Sequence, residues 1–486
     1  MAVSGAPRRR FLNRAGIAKT GASSLTASLE RDASILLNEL WIGAIVTMTE
    51  ASAQVAPLER PLGRRLSYQR ILNTIFWITS FSGSVVFIEP SPYDFFILAT
   101  IIIWLLGGIR IFRGVMPGLI LLTLWTIGGY ISLIPYWNEP DPVVFMTHTL
   151  FISTTGVFYM LFFSENTSKR MDLLMSGYAA SCILAALIAI GSWAGLFGDP
   201  MTWTDWGRAK APFKDPNVLG SYMVPGILYF AQRLLLARTR FLVVTIVGLL
   251  LCSTALFISF SRGAWAAAVF ALLLMALFSV ATADSYRMRF RILFSTIVIA
   301  FGIGVGVVGV LSDATVREFF MKRASATQEY DVGPTGRFGN QLRSIPMLVE
   351  RPNGFGPLRF RLIFGIEPHN SYINAFASNG WLGGFAFLGL TVATIFVGVR
   401  QCLKRNPYMR HSQLIAPTVF SYFLQGVQID LDHWRFFWIF YGAIWGLEAA
   451  RKKWASSQGE KLPAREARGR PFRDAQDLSK DEISVQ

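Results

Sequence analysis

The sequence has 486 residues, of which 52% are hydrophobic and only 16% charged, with a formal net charge of +16. A soluble domain carries about a quarter charged residues, so the shortage excludes an ordinary soluble enzyme and makes lipid the solvent for much of the chain. The basic surplus falls in short blocks between apolar runs, as in cytoplasmic membrane loops, which argues against nucleic acid as a partner.

Residues 1–69 read as a cytoplasmic, largely disordered basic tail. Arg8-Arg9-Arg10-Phe11-Leu12 looks like the start of a twin-arginine export signal. The stretch that follows contains Lys19 and has no apolar segment, so that reading lacks its second half. Met48 is an alternative start. Apolar runs long enough to cross a bilayer recur from Ile71 onward. They cover 71–88, 95–109, 115–134, 143–163, 173–196 and 218–236, then 241–260, 264–280, 292–311, 381–399, 414–429 and 434–450. The predicted fold class is therefore all-α, a polytopic membrane protein of about twelve transmembrane helices with a long periplasmic loop.

Loop charge tests that count independently. Arg64, Arg65 and Arg70 precede the first run, Arg110 and Arg113 follow the second, and Lys169 and Arg170 the fourth. The alternation continues through Arg287, Arg289 and Arg291, through Lys404, Arg405 and Arg410, to Arg451, Lys452 and Lys453. The intervening short loops are acidic or neutral. This pattern puts both termini in the cytoplasm. Two connections on the opposite face are unusually long, 197–217 and 312–370. Loops of that length are functional or disordered, and the aromatics and Gly-Pro turns of the second favour an ordered, partly helical segment. Residues 451–486, rich in both charges, read as a disordered cytoplasmic tail.

The expected spans hold almost no carboxylates apart from Glu448, which weighs against an ion-coupled transporter. The four histidines are scattered, and Cys182, Cys252 and Cys402 have neither disulfide nor zinc spacing, so no metal or cofactor is expected. Candidate chemistry gathers on the outer face. Ser261-Arg262-Gly263 forms a tight turn between two runs and sets Arg262 at the outer boundary. That arginine is either a snorkelling surface residue or a bidentate fork for phosphate. In Lys214-Asp215-Pro216-Asn217, Asp215 suits a helix N-cap and Pro216 the first helical position. Lys214, Arg208 and Lys210 add positive charge there and could meet an anionic lipid head. In the long loop, Gly336-Arg337 opens an amphipathic stretch ending at Glu350, and Pro352–Pro357 makes a rigid turn. His369-Asn370-Ser371-Tyr372 then opens a short helix toward Asn379-Gly380, capped by Asn370 or Ser371. His369 at its mouth suits a general base near neutral pH.

Taken in order, Lys214-Asp215-Pro216-Asn217, Ser261-Arg262-Gly263-Ala264-Trp265, Gly336-Arg337, Gly354-Phe355-Gly356 and His369-Asn370-Ser371-Tyr372 resemble the O-antigen ligase and polymerase superfamily, which includes exopolysaccharide polymerases. The resemblance spans about residues 70–450. It implies a GT-C-like glycosyltransferase of the bacterial inner membrane, with its active site facing the periplasm. Such an enzyme takes a glycan from an undecaprenyl-pyrophosphate carrier and gives it to an acceptor sugar hydroxyl, on lipid A–core for a ligase or on a growing glycan for a polymerase. It further implies Arg262, Arg337 and His369 as catalytic residues, and Lys214, Asp215, Asn217 and Asn370 as substrate-binding ones. Lys214 departs from the pattern, since ligases often carry an arginine before the sixth span. The chemistry is coherent without a metal: two arginines can meet the developing charge on the pyrophosphate leaving group, and histidine can take the hydroxyl proton. A ligase-type acceptor is the expectation, with a polymerase as the alternative within the superfamily. A lipid or glycan flippase is the alternative from another class.

Overall fold

Helices make up almost all of the regular structure in the computed structural model, which describes residues 62–197, 200–236, 241–324 and 333–461. The N-terminal tail with its arginine motif and Met48, and the stretch from 462 onward, lie outside the described residues. The chain divides into two units, Met1–Tyr68 and Gln69–Gln486. Of the first, only 62–68 is described, as the opening of a helix.

A helix stands at each of the twelve apolar runs. In chain order they are α1 (Leu62–Phe81), α2 (Pro92–Leu105), α3 (Met116–Leu133), α4 (Pro140–Phe162), α5 (Thr167–Trp193), α6 (Pro216–Leu235), α7 (Leu242–Ile258), α8 (Arg262–Ala281) and α9 (Tyr286–Val310). The long loop adds α10 (Ala314–Ala324) and α11 (Arg337–Val349). Then come α12 (Ser371–Leu403), α13 (Met409–Gln425) and α14 (Arg435–Lys461). Among the described residues six helices, α3, α4, α5, α8, α9 and α12, are long and apolar enough to cross a membrane, and α2 and α7 are shorter apolar helices. The one sheet among the described residues is a two-residue antiparallel hairpin, β1 (Thr204–Asp205) and β2 (Arg208–Ala209), inside the first long connection.

Local sequence explains where these helices start. Ser91 caps α2 in a capping box with Asp94, and Pro92 takes the first position. Asp94 also grips Arg435 at the start of α14 through two bonds of 2.7 and 2.9 Å. Close packing follows from small residues. A Cβ at Gly128 of α3 would lie 2.6 Å from the Asn379 carbonyl oxygen and the Gly383 nitrogen, so the α3 and α12 backbones nearly touch. Asn379 Nδ2 donates to the Trp125 carbonyl across this seam at 3.0 Å.

At the other end, Glu448 of α14 is 1% exposed and pairs with Arg400 of α12. It also takes a two-pronged contact from Arg451, both bonds 2.9 Å. Arg451 and Lys452 lie on the same helical face as Glu448, three and four residues on. The helix therefore continues past Ala450 to Lys461, where composition alone suggested a disordered tail beginning at Arg451.

The long loop is largely helical where described, and its second half is built around a break in α12. At Gly380 the backbone turns to φ 63°, ψ −169°, a region essentially reserved for glycine. The short helix expected from Ser371 to Asn379 and the run beginning at Trp381 are thus two segments joined at a kink. A break strands backbone groups that must be satisfied elsewhere. The turn of Pro352–Gly356 satisfies them: Phe355 and Gly356 N–H donate to the Ala377 carbonyl at 2.8 and 3.0 Å, and Trp381 N–H donates to the Pro352 carbonyl at 2.7 Å. Leu348, Phe355, Phe360 and Ala377 form a small buried cluster beneath this turn.

Candidate active site

Three helix N-termini meet at one cavity of about 790 Å³. The start of α6 contributes Asp215, Asn217, Val218 and Ser221. The start of α8 contributes Ser261, Arg262, Gly263 and Ala264, and the start of α11 contributes Thr335, Gly336 and Arg337. His369, just ahead of α12, and Gln425, Gln428 and Asp430 also line it. Each helix start has its own local cause. Asp215 Oδ1 accepts the Asn217 N–H at 2.6 Å, with Pro216 at the first position. Ser261 Oγ accepts from Ala264 N, after a turn in which Phe260 takes φ 48°. Gly336 precedes α11 in extended conformation. Unsatisfied N–H groups and aligned peptide dipoles make every such start weakly positive, and three together favour an anion.

Arginines add full charges. Arg208, on β2, is nearly buried; its Nε donates to the Ser259 carbonyl at 2.9 Å and its Nη2 to Asn217 Oδ1 at 2.8 Å. Arg262 and Arg337 are half-buried at the cavity wall. Arg337 Nη1 lies 3.4 Å from the Gln428 carbonyl oxygen, and its guanidinium sits over the Phe338 ring at 4.9 Å. Against these three stand Asp215 and Asp430, so the cavity carries a cationic surplus.

His369 is held in a left-handed conformation, φ 45°, by bonds on either side of it. Gln341 of α11 donates to the Pro368 carbonyl at 2.8 Å. Asn340 donates to the Phe364 carbonyl at 3.3 Å. On the other side Asn370 caps α12, its Oδ1 accepting from Tyr372 N and Ile373 N at 3.0 Å each. Its Nδ2 donates to the Val427 carbonyl at 3.1 Å. Ser371 Oγ donates to the Ile429 carbonyl and accepts from Leu431 N, both at 2.8 Å. The histidine motif is thus stitched to the loop after α13. That loop also brings Asp430 Oδ2 to 3.9 Å from His369 Nδ1, while Asp430 Oδ1 accepts the Asn370 N–H at 3.1 Å. Burial pushes the Asp430 carboxyl well above the ordinary carboxylate range, and the neighbouring Asp432 and Glu367 push the same way. The N–H groups of Asn370 and His369 pull it back.

Residues 247–388 match the family model described as O-antigen ligase. The chain carries a domain of the O-antigen ligase and polymerase superfamily. The matched segment includes Arg262, Arg337, His369 and Asn370, and three of these line the cavity. No curated protein matches the chain.

Of the residues singled out in the sequence, the cavity gathers Arg262, Arg337, His369, Asp215 and Asn217. Asn370 serves as a cap and a tether behind His369. Lys214 lies apart from the cavity wall and pairs with Glu89 at 2.8 Å, both side chains being substantially exposed. That contact, chiefly the hydrogen bond from Lys214, lowers the Glu89 carboxyl below its usual value. Sequence reasoning gave Arg208 only a passing role and missed Gln425, Gln428 and Asp430 altogether. The two glutamines sit at the end of an apolar run, where polar residues rank as helix ends. Asp430 and Asp432 flank Leu431, and the pairing of two acids beside an apolar helix was the available signal.

A second cavity of about 250 Å³ adjoins the first and shares Arg262, Gly263, Arg337, Gln425 and Gln428 with it. Its remaining wall, Ala266, Ala267, Phe338 and Leu424, is apolar. Phe338 and Leu424 are exposed on the protein surface.

Proposed function

We propose that the protein is a metal-independent membrane glycosyltransferase. It moves a glycan from an undecaprenyl-pyrophosphate carrier to an acceptor sugar hydroxyl, and it acts as an O-antigen ligase whose acceptor is lipid A–core. The observation that carries this reading is the convergence of Arg262, Arg337 and His369 on one cavity at three helix N-termini. The superfamily domain at 247–388 supports the same class of membrane enzyme.

The proposed mechanism follows from charge. The C–O bond between the glycan and the diphosphate breaks, and negative charge grows on the leaving oxygen. Arg262 and Arg337 meet it with two-pronged donation, and the helix starts add oriented N–H groups. His369 accepts the proton of the attacking hydroxyl. Asp430 is a positioning residue here, holding the imidazole from the Nδ1 side. Direct attack inverts the anomeric centre. The apolar wall of the second cavity, Ala266, Ala267, Phe338 and Leu424, suits the first isoprene units, so the carrier's headgroup and tail would occupy adjoining spaces. The alternating loop charges support a periplasmic cavity, cytoplasmic termini and an inner-membrane location.

The test is a deletion strain complemented with variants. A ligase deletion leaves bare lipid A–core while long lipid-linked chains accumulate. Lipid A–core bearing a single repeat unit would assign the protein to O-antigen polymerisation. Unchanged lipopolysaccharide with loss of a secreted polymer would assign it to exopolysaccharide polymerisation. A strain normal in all three, with the protein shown to be expressed in its parent, would refute the proposal.

A further inference from the structure

We infer that Gln425 is a substrate-contacting residue that donates an amide N–H to the diphosphate of the lipid carrier, with Ser221 fixing its orientation; this rests on the lipid-diphosphate reading above. Gln425 ends α13 and is 6% exposed, yet it lines both cavities at the wall they share. Its Oε1 lies 2.9 Å from Ser221 Oγ. Ser221 Oγ is itself 2.8 Å from the Asn217 carbonyl, one turn back in α6, so a single hydroxyl proton serves two acceptors and holds the glutamine by its oxygen end. Tyr422, one turn earlier in α13, donates to the Ser221 carbonyl at 3.1 Å and fixes α13 against α6. With the oxygen end committed, Gln425 Nε2 is buried and has no hydrogen-bond partner among the described residues.

A buried amide left without a partner is costly, and native proteins rarely tolerate one without a reason. The surroundings say which partner fits. Arg262, Arg337 and the first turn of α8 share this wall, and a Cβ at Gly263 would meet nothing nearer than Gln428 Oε1 at 3.9 Å and Gln425 Cγ at 4.0 Å. The glycine leaves room between the α8 start and the glutamine. An anion occupying that room would meet arginines on one side and the amide on the other. A neutral donor suits the place where the charged wall gives way to the apolar wall of Ala266, Ala267, Phe338 and Leu424, because it stabilises phosphate oxygens without adding a further buried charge.

The experiment measures binding of undecaprenyl pyrophosphate, carrying no glycan, to the purified full-length protein in detergent. The variants are Gln425→Met, Gln425→Glu, Ser221→Ala and Arg262→Ala, each checked for wild-type elution and thermal unfolding. Gln425→Met keeps volume and removes the donor; it should weaken binding by about tenfold or more, the effect of one hydrogen bond to a charged group. Gln425→Glu should weaken it further, because a carboxylate repels the diphosphate. Ser221→Ala should fall between wild type and Gln425→Met. If Gln425→Met does not fold, the glutamate and Ser221 variants decide. Wild-type binding by Gln425→Glu would overturn the donor role, since only a carbonyl-type acceptor survives that change. Wild-type binding by both Gln425 variants while Arg262→Ala loses the lipid would overturn this inference and leave the carrier reading standing. Failure of the wild-type protein itself to bind would overturn both.

Discussion

A methyl group at Gly380 probes how the fold places its histidine. The backbone there, φ 63° and ψ −169°, costs a non-glycine residue about 1–3 kcal/mol. An added Cβ would lie 2.6 Å from the Pro352 carbonyl oxygen and 3.0 Å from Asn353 Cα. Neither atom can yield without moving the 352–356 turn. Retreat of that turn would release the bonds from Trp381 N to Pro352 and from Phe355 and Gly356 N to Ala377, at about 1 kcal/mol each. The sum, about 4–6 kcal/mol, is a large share of the stability of an ordinary fold. Gly380→Ala should therefore melt ~10 °C or more below wild type in detergent. Below its melting temperature it should still transfer glycan poorly, because His369 stands at the head of the segment that the kink aims. Gly354, at φ +68°, faces the same junction, with a Cβ there 2.5 Å from the Phe376 and Ala377 carbonyl oxygens. Gly354→Ala should disrupt the same docking, and the double variant should be clearly less destabilised than the sum of the two singles. Gly380→Ala with wild-type melting and wild-type transfer would refute this reasoning.

Arg262→Lys and Arg337→Lys keep the charge and lose the planar fork; each should reduce transfer by roughly 30- to 1000-fold, or about 2–4 kcal/mol, and wild-type rates in both would reduce these arginines to surface residues. Lys214→Ala should lower transfer less than either, and stability by at most about 1 kcal/mol, because its ion pair with Glu89 is exposed; a loss as deep as that of Arg262→Lys would place Lys214 in the donor site after all. Asp430→Asn should impair transfer yet stabilise the fold. The raised carboxyl disfavours ionisation in the folded state, so the wild-type protein loses stability as pH rises from about 4 through the raised value, and the asparagine variant does not. Melting curves across pH should show the gap widening upward, and a variant less stable than wild type at neutral pH would contradict the sign. Glu448→Ala leaves Arg400 and Arg451 without their shared carboxylate and should cost about 3 kcal/mol while sparing the active cavity; a transfer defect with unchanged melting would be the wrong result.

Much of this molecule was legible in the sequence because lipid imposes simple rules. Twelve apolar runs became twelve helices, and Asp215-Pro216 and Asn370 marked helix starts through the chemistry of capping. The kink at Gly380 was legible as a boundary, since Asn379-Gly380 ends one helical pattern and Trp381 begins another. Lys214 misled because charge near a motif says nothing of which way a side chain runs; Glu89, more than a hundred positions earlier, captures it. Gln425 and Asp430 were hidden for the opposite reason. Their importance comes from α13 meeting α6 and from the 426–431 loop folding against Asn370, contacts between segments far apart in sequence. The continuation of α14 to Lys461 likewise depends on Glu448 finding Arg451 and Lys452 along one face, a spacing that reading the tail by composition overlooks.

The most direct test of the account uses purified protein in detergent with a glycan on undecaprenyl pyrophosphate and lipid A–core as acceptor, in the presence of EDTA. The account predicts transfer by the wild-type protein and release of undecaprenyl pyrophosphate. His369→Ala should bind the donor lipid normally and transfer nothing detectable, because the donor's diphosphate is held by the arginines and only the acceptor's proton needs the imidazole. Robust transfer by a well-folded His369→Ala variant, or a wild-type activity that appears only when a divalent ion is returned, would contradict it.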